Sequence, residues 1–436
     1  MTSINFDFSL STSTPAVSGW PKVLLSDVAD INAKTARIKE MGVINYTDIS
    51  SVGTRTVQSP AVLKSHEAPS RAKRLLTEGD TVISTVRPNR KSYFFFNGQW
   101  DNAVASTGFV VISPKDLQDA NFIHYILTSE DASALYERIC EGGAYPAFNG
   151  NQLASLEIPW PEPEIRNFIG SSIANLDRKI ETNIELSKIL EDIAQTIFKS
   201  WFIDFDPVKA KMAGEKPVGM DDATAALFPD SMEDSELGLI PKGWELVSLG
   251  QIGDFLNGLA MQKFPVVDEN NVLPVIKISQ LRAGNTFGAD IASGLLDPKY
   301  IIKDGDVLFS WSGTLEVEIW SGGQGALNQH LFKVTGNLCP DWFAYFATRY
   351  FLPTFRHIAS GKATTMGHIQ RGHLTEARMA IPADELIRCA TTIIGPLLAM
   401  KISLMQESKQ LSDIRDSLLP RLISGELQIP EEMLAS

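Results

Sequence analysis

The sequence predicts a mixed α/β protein of the α+β kind: two like domains in tandem, separated by two long helices that pair as an antiparallel coiled coil, with a pseudo-twofold internal repeat. Three observations carry this. Matching segments recur in the same order in the two halves of the chain. A long stretch of heptad-spaced apolar residues follows each copy. The length of 436 residues is enough for several domains that each bury a core.

The repeat begins at GWPKVLLSDVADI, residues 19–31, answered by GWELVSLGQIGDF, residues 243–255. EGDTVIS (78–84) is answered by DGDVLFS (304–310), each a turn leading into a β-rich run. ASTGFVV (105–111) is set against NQHLFKV (328–334), NFIHYIL (121–127) against DWFAYFA (341–347), and LEIPWP (156–161) against MAIPA (379–383). One such match is noise; five in the same order at a near-constant offset make a duplication.

After the first copy, Ile173, Leu176, Ile180, Asn183, Ser187, Leu190, Ala194, Ile197 and Trp201 follow one another at spacings of three and four. After the second, Leu397, Met400, Leu404, Glu407, Leu411, Ile414, Leu418 and Arg421 do the same. Both are heptad seams, and each carries one polar member, Asn183 and Glu407, in the place of a register-fixing residue. At ~1.5 Å per residue, about 30–35 residues make a rod of roughly 45–55 Å. Two such rods suit a protein that reads duplex DNA at two places of fixed spacing. The segments expected are 1–160 (first domain), 161–206 (central helix), 207–242 (linker), 243–382 (second domain), 383–425 (C-terminal helix) and 426–436 (tail).

Composition sets limits. A net charge of −13 argues against nucleic acid until its distribution is read. Residues 161–240 hold 8 basic and 16 acidic residues, whereas 1–160 hold 14 and 16, and 241–380 hold 12 and 12. Within residues 64–91, seven basic residues face three acidic ones, a local patch that suits phosphates whatever the total charge. Cys140, Cys339 and Cys389 show no metal spacing and cannot all pair, which fits a reducing cytoplasm. Residues 1–20 have neither the basic start nor the apolar run of a secretion signal. The longest uncharged apolar run, 389–400, is shorter than the ~20 residues of a membrane span. A cytoplasmic protein without membrane contact is expected.

At the end of the first helical stretch, TIFKSWFIDFDPVKAK (196–211) gathers Trp201, Phe202 and Phe205 just before Pro207. Trp201 falls on the seam. Phe202 and Phe205 fall off it and suggest a partner surface, since aromatics are favoured in interface cores. The linker beyond, residues 209–238, carries seven acidic residues against three basic ones and reads as a tether that DNA repels.

The succession of a GW start, a variable domain, an IP-P segment, a long helix, FKSWFIDFDPVKAK, GMDDATAALFPDSMEDSELGLIPKGW, a second variable domain, a second helix and LLPRLISGEL resembles the specificity subunits of type I restriction–modification systems. The resemblance spans nearly the whole chain and is sharpest in residues 198–244 and 414–427. It implies a non-catalytic subunit whose two target-recognition domains each read one half of a split, asymmetric site in double-stranded DNA. The helices then act as spacer and dock two methyltransferase (modification) subunits, and restriction subunits join that core. S-adenosylmethionine, ATP and Mg are expected on those partners, with none bound by this chain. The region of Trp201, Phe202 and Phe205 lies where specificity and modification subunits meet.

The residues agree on the missing chemistry. An amino-methyltransferase needs an Asn/Asp-Pro-Pro-aromatic loop, and this sequence contains none. It has no Walker A loop, no GxGxxG and no HExxH, so no catalytic or metal-ligating residues are assigned.

Candidate DNA readers lie in the loops of each domain. In the first, STVRPNRK (84–91) offers Arg87, Asn89, Arg90 and Lys91, with Arg71, Lys73 and Arg74 in the same basic stretch, and GGAYPAFN (142–149) offers Tyr145 and Asn149. In the second, SWSGT (310–314) offers Trp311 and Ser312, and NQH (328–330) offers Gln329 and His330. GKATTMGH (361–368) and the residues after it offer Lys362, Thr364, Thr365, His368 and Arg371. Arg takes guanine and Asn takes adenine bidentately, while phosphate contact is the commoner fate of such residues. Two alternatives stand beside this reading. One is a fused enzyme, which would need the absent methyltransferase loop. The other is a coiled-coil scaffold that ignores DNA, which would show no sequence-dependent binding.

Overall fold

The computed structural model describes residues 20–140, 146–361 and 367–434, together with the backbone of residues 4–5. Tyr145, Lys362, Thr364 and Thr365 lie outside the described residues. The chain divides into two compact units, Met1–Lys179 with Leu411–Ser436, and Ile180–Gln410.

In the first unit the chain forms β1 (Lys22–Leu24), β2 (Ala29–Ile31), β3 (Val43–Thr47), β4 (Ala61–Lys64) and β5 (Ala72–Leu75). It continues through β6 (Asp80–Ser84), β7 (Tyr93–Phe96), β8 (Ala103–Ser106) and β9 (Phe109–Pro114). Two four-stranded sheets result, ordered β2–β9–β6–β7 and β4–β3–β8–β5. β6 reads DTVIS and is buried along its whole length, as expected of a central strand covered on both faces. Helices α1 (Ala120–Leu127), α2 (Glu130–Ile139) and α3 (Gly150–Ala154) follow. The return strand β10 (Leu156–Pro159) then pairs antiparallel with β1, and the chain enters α4 (Pro163–Phe202), 40 residues long.

The second unit repeats this plan. After α5 (Asp206–Met212), α6 (Asp222–Ala226) and the hairpin β11 (Met232–Ser235)–β12 (Gly238–Pro241) come β13 (Glu245–Ser248), β14 (Gly253–Asn257), β15 (Val272–Ile276) and β16 (Ile291–Ser293). Then follow β17 (Ile301–Ile302), β18 (Val307–Ser310), β19 (Val317–Ile319), β20 (Gly325–Leu327) and β21 (Leu331–Gly336). The sheets run β14–β21–β18–β19 and β16–β15–β20–β17, the same orders strand for strand. Even the one parallel pairing within these sheets recurs, β3 with β8 and β15 with β20. Gly79 (φ 88°) and Gly305 (φ 91°) turn the chain into β6 and β18 at matching positions, a conformation that glycine adopts without penalty. Helices α7 (Asp341–Ser360) and α8 (Arg371–Glu376) and strand β22 (Arg378–Ile381), antiparallel to β13, close the copy. Then comes α9 (Asp384–Ile423), again 40 residues, followed by the short helix α10 (Glu431–Leu434).

Strand pairing corrects one alignment. Ser84 opposes Phe109 and Ser310 opposes Leu331, so Phe109 corresponds to Leu331 rather than to Phe332. Matching phenylalanines in ASTGFVV and NQHLFKV slips the register by one, which would turn every side chain to the wrong face.

Within each unit, α4 and α9 pack antiparallel. In the second, Asn183 Nδ2 donates to Glu407 Oε2 at 2.8 Å, so the polar members of the two seams meet. Toward the C-terminus of α4, Ser187 Oγ reaches Lys401 O at 3.5 Å and Glu191 pairs with Lys401 at 2.9 Å. In the first unit, Asp177 pairs with Arg415 at 2.5 Å. The α4 seam is as read, but the α9 seam is not. Met400 and Ile414 are exposed, whereas Leu398, Lys401, Leu404, Ser408, Leu419 and Leu422 are buried. The buried line keeps Leu404 and runs one position later on either side of it, where Lys401 and Arg415 lay their apolar stems in the seam and meet carboxylates at the tips.

An 18-residue window of α9, longer than the uncharged run 389–400, is long and apolar enough for a membrane span by composition. Its residues Leu386, Ile387, Ala390, Ile394 and Leu398 lie in the core of the second unit. The expected tether is also folded: within 207–242, Pro207, Val208, Thr224, Ala225, Phe228 and Ile240 are buried.

Candidate nucleic-acid interface

In both copies three segments converge beyond the end of the central strand: the loop after that strand, the turn before the next sheet strand, and the segment that leads into the short helix α3 or α8. In the first copy Thr85 N donates to Gly108 O (3.0 Å), Phe148 N to Thr85 O (3.1 Å) and Arg87 N to Pro146 O (3.0 Å). In the second, Trp311 N donates to His330 O (3.3 Å), Ile369 N to Trp311 O (3.0 Å) and Gly313 N to Gly367 O (2.9 Å). The isolated bridges Val86–Ala147 and Ser312–His368 are equivalent too. The backbone is the same, and the side chains differ throughout: Thr85, Arg87, Gly108 and Ala147 against Trp311, Gly313, His330 and His368.

In the first copy the loop is held in an unusual conformation. Arg87 (φ 52°) and Lys91 (φ 50°) are left-handed on either side of the turn Pro88–Arg90, with Pro88 buried beneath it. Such backbone persists only when its surroundings enforce it, and it concentrates at functional sites. Asn89 and Arg90 are exposed. Lys91 Nζ pairs with Glu130 at 2.5–2.7 Å, so its charge is already opposed. Arg71 joins this region through the turn that precedes β9: Arg71 O accepts from Thr107 N at 2.8 Å, next to Gly108. Arg71 and Lys73 are exposed, whereas Arg74 is half-buried, with its Nε inside and without a hydrogen-bond partner. Burial draws its guanidinium below the usual arginine range. Asn149 caps α3, its Oδ1 accepting from Asn151 N (3.0 Å) and Gln152 N (3.1 Å). That oxygen is committed to the helix end.

In the second copy Trp311, Ser312, Gln329, His330 and His368 form one cluster. Trp311 Nε1 donates to Asn257 Oδ1 (3.0 Å) and Gln329 O (3.1 Å). Its ring lies 5.9 Å from that of His330 and 6.4 Å, edge-on, from that of His368. Ser312 Oγ is 2.9 Å from His330 Nδ1, and Gln329 Nε2 is 3.3 Å from His330 Nε2. Arg371 is exposed, its guanidinium 5.8 Å from the Phe332 ring and bonded to Phe255 O at 3.3 Å. Beside the cluster lies a recess of about 300 Å³, lined by Gln262, Lys277, Ile278, Ser279, Asn328, Gln329 and His330. Asn257, Gln262, Lys277 and Ser279 escaped the sequence reading because they come from distant strands and loops.

The aromatic trio packs on residues of the second unit itself, with Phe205 half-buried. Trp201 and Phe202 are buried in the second unit, where Trp201 meets Phe228 (5.3 Å) and Phe202 meets Phe343 (5.1 Å) and Trp244 (6.1 Å). Phe205 lies edge-on to Trp244 at 5.5 Å. The sequence suggested a partner because the neighbours of these rings lie more than 25 residues further along the chain. Among the described residues no group of His, Cys, Asp and Glu is placed to hold a metal ion. The Cys339 thiol is pushed up to about 12 by burial and by Asp384, far from a nucleophile's range.

A scaffold built twice, with different polar and aromatic side chains on one conserved backbone junction, defines a two-module recognition protein. The chain belongs to the family of the type I restriction modification DNA specificity domain, whose profile matches residues 17–191 and 241–409, once in each copy. It is similar to the type I restriction enzyme HindI specificity subunit of Haemophilus influenzae, 26% identical over 414 residues that cover 83% of this chain and 89% of that protein. It is also similar to the MjaIX specificity subunit of Methanocaldococcus jannaschii, 28% identical over 334 residues covering 74% and 73%. Among solved structures, the S subunit of a type I restriction–modification system from M. genitalium aligns over 94% of this chain and 98% of its own, at 14% identity and a TM-score of 0.49. The chain is thus a specificity subunit, a non-catalytic component that recognises the DNA target.

Proposed function

We propose that this chain reads a bipartite, asymmetric site in double-stranded DNA, one half with each domain. The observation that carries this is the three-segment junction, formed twice by the same backbone hydrogen bonds and furnished with different side chains. A common frame fixes where a base edge is met, and the side chains fix which base is accepted. In the first domain Arg87, Asn89 and Arg90 face the DNA, with Arg71 and Lys73 on flanking phosphates. In the second, Trp311, Ser312, Gln329, His330 and His368 form the reading surface. Tyr145, Lys362, Thr364 and Thr365 are proposed as further DNA contacts.

The helices dock two modification subunits. On α4, Leu186, Ile189 and Ile193 are 40–52% exposed at spacings of three and four. This is an apolar stripe away from the α9 seam and suited to a partner helix. Restriction subunits join through that core. S-adenosylmethionine, ATP and Mg act on those partners, in the cytoplasm.

Exchanging residues 243–379 for those of another family member and mapping methylated motifs in cells tests the reading. One half of the motif changes and the other stays. A change in both halves, or a motif without two halves, overturns it.

A further inference from the structure

Tyr125 and Tyr345 occupy the same place in the two copies, the fifth residue of NFIHYIL and of DWFAYFA. Both direct their hydroxyl out of the recognition domain, onto a carboxylate of α4. Tyr125 donates to Asp177 Oδ2 at 2.8 Å, while Asp177 Oδ1 accepts from Arg415 of α9 at 2.5 Å. Tyr345 donates to Glu191 Oε1. Glu191 also accepts from Arg349 at 2.6 Å and lies 2.9 Å from Lys401 of α9. In each unit, one carboxylate therefore receives the tyrosine of its domain and a cation of the opposite helix. The Asp177 and Glu191 side chains are only 19% and 13% exposed, so water weakens these bonds little.

Apolar packing also joins each domain to the helices, through clusters that include Ile169, Ile173 and Leu419 in the first unit and Ala194, Phe198 and Leu398 in the second. That packing is non-directional and tolerates small slips. A hydrogen bond to a carboxylate is short and directional, and about twice as strong as a neutral one. The two kinds of contact divide the work: packing holds the domain on, and the tyrosine fixes where, beside an arginine of the same domain, Arg55 at 3.5 Å from Asp177 and Arg349 at 2.6 Å from Glu191.

We propose that Tyr125 and Tyr345 are positioning residues that set the gap at which the two half-sites are accepted, by pinning each recognition domain to the carboxylate that joins its helix pair. This rests on the bipartite reading above.

Tyr125→Phe with Tyr345→Phe tests it in the complex with modification subunits. Each substitution keeps the ring and leaves the carboxylate paired with its cations. Tyr136→Phe is the control, because Tyr136 donates to Leu127 O at 2.8 Å wholly inside the first domain. Methylation mapping should show unchanged half-sites in the double variant. Sites with a gap one base pair shorter or longer should gain about tenfold relative to the cognate gap, the ratio that ~1.4 kcal/mol produces. The control should keep the original gap. If the double variant methylates nothing in cells, binding of the purified complex to duplexes of graded gap gives the same readout. An unchanged gap preference in the double variant, or equal broadening in the control, overturns the proposal. A wild-type motif without a gap would instead remove the bipartite reading itself, an outcome visible before any variant is made.

Discussion

Trp20 lies against Gly425, so close that a Cβ on the glycine would stand 2.8 Å from the indole Nε1. The first tryptophan of the first copy thus covers the end of α9, where Gly425 is left-handed at φ 76°. In the second unit Trp244 meets Phe205 beyond the end of α4, and Phe205 is left-handed as well, at φ 57°. The two copies close their long helices in the same manner, but only one closure leaves room for a side chain. Gly425→Ala should lower the stability of the first unit by about 1–3 kcal/mol, from the left-handed backbone and the collision together. In a Trp20→Ala background the same substitution should cost measurably less, because the collision is gone. Urea unfolding of the four variants checks this, and equal effects in both backgrounds would deny the contact any role.

Glu191 gives a pH dependence whose sign is fixed by its neighbours. Burial alone would raise its carboxyl, but the Lys401 ammonium, the Tyr345 hydroxyl and the Arg349 guanidinium together hold it below the usual carboxylate range. A depressed carboxyl takes up its proton in the unfolded chain first. Its share of stability is therefore present above about pH 4.3 and lost as the pH falls below that. Glu191→Gln should destabilise the second unit by about 1–3 kcal/mol at neutral pH and make its acid-induced loss of stability shallower. Denaturant titrations at pH 7 and pH 4 measure both, and parallel acid curves for variant and wild type would contradict the assignment.

Much of the fold was legible because a duplication states each element twice. The turn at Gly79 and Gly305, the central strands and the junction loops each carry their own echo, and Asn183 and Glu407 could be paired from heptad position alone. What escaped has one physical root, that letters do not show which part of a side chain is buried. Lys401 and Arg415 look like surface residues, yet their stems fill the α9 seam while Met400 and Ile414 face outward. Phe202 looks like an exposed anchor because Phe343 and Trp244, which cover it, are distant in sequence. The acidic run after α4 reads as a tether because Val208, Phe228 and Ile240, which fold it, are few and scattered. At the candidate interface, the loops were found by their place in the repeat. The Trp311–His330–His368 cluster and its support from Asn257 needed four separate segments to be brought together.

The loop of residues 84–91 predicts two separable effects on DNA binding. Arg90 is exposed at the tip. If it contacts phosphate, Arg90→Ala should weaken binding to all sequences and reduce the slope of log affinity against log salt by about one. Arg87, held left-handed by Pro146 and backed by the buried Pro88, is placed as a base reader. Arg87→Ala should relax one position in one half-site, at ~1–3 kcal/mol. Binding of the complex to duplex variants over a salt series distinguishes the two, and a uniform loss for both substitutions would make both residues phosphate contacts.

The gap between half-sites should depend on helix length, and the pairing of α4 with α9 dictates how that must be tested. Asn183 meets Glu407 and Glu191 meets Lys401, so the stretch between these contacts is paired along both helices. Four residues added to α4 alone would have to bulge out or break one of the two contacts, and the variant would report misfolding rather than spacing. The insertion therefore belongs in both helices, between Ser187 and Leu190 in α4 and between Lys401 and Glu407 in α9. Four residues add about one turn, roughly 6 Å of rise, against ~3.4 Å per base pair of duplex. The preferred gap should lengthen by one to two base pairs while both half-site sequences stay the same, since no reading residue is touched. Each added base pair also turns one half-site by about 34–36° relative to the other. Four helical residues rotate the helix by ~40° beyond a full turn, at 3.6 residues per turn. The two rotations need not coincide, so overall methylation is expected to fall even where the longer gap is chosen. Methylation mapping of the doubly extended protein, beside the single insertion in α4, gives the outcome. A double insertion that leaves the gap unchanged at full activity would show that these helices do not measure it.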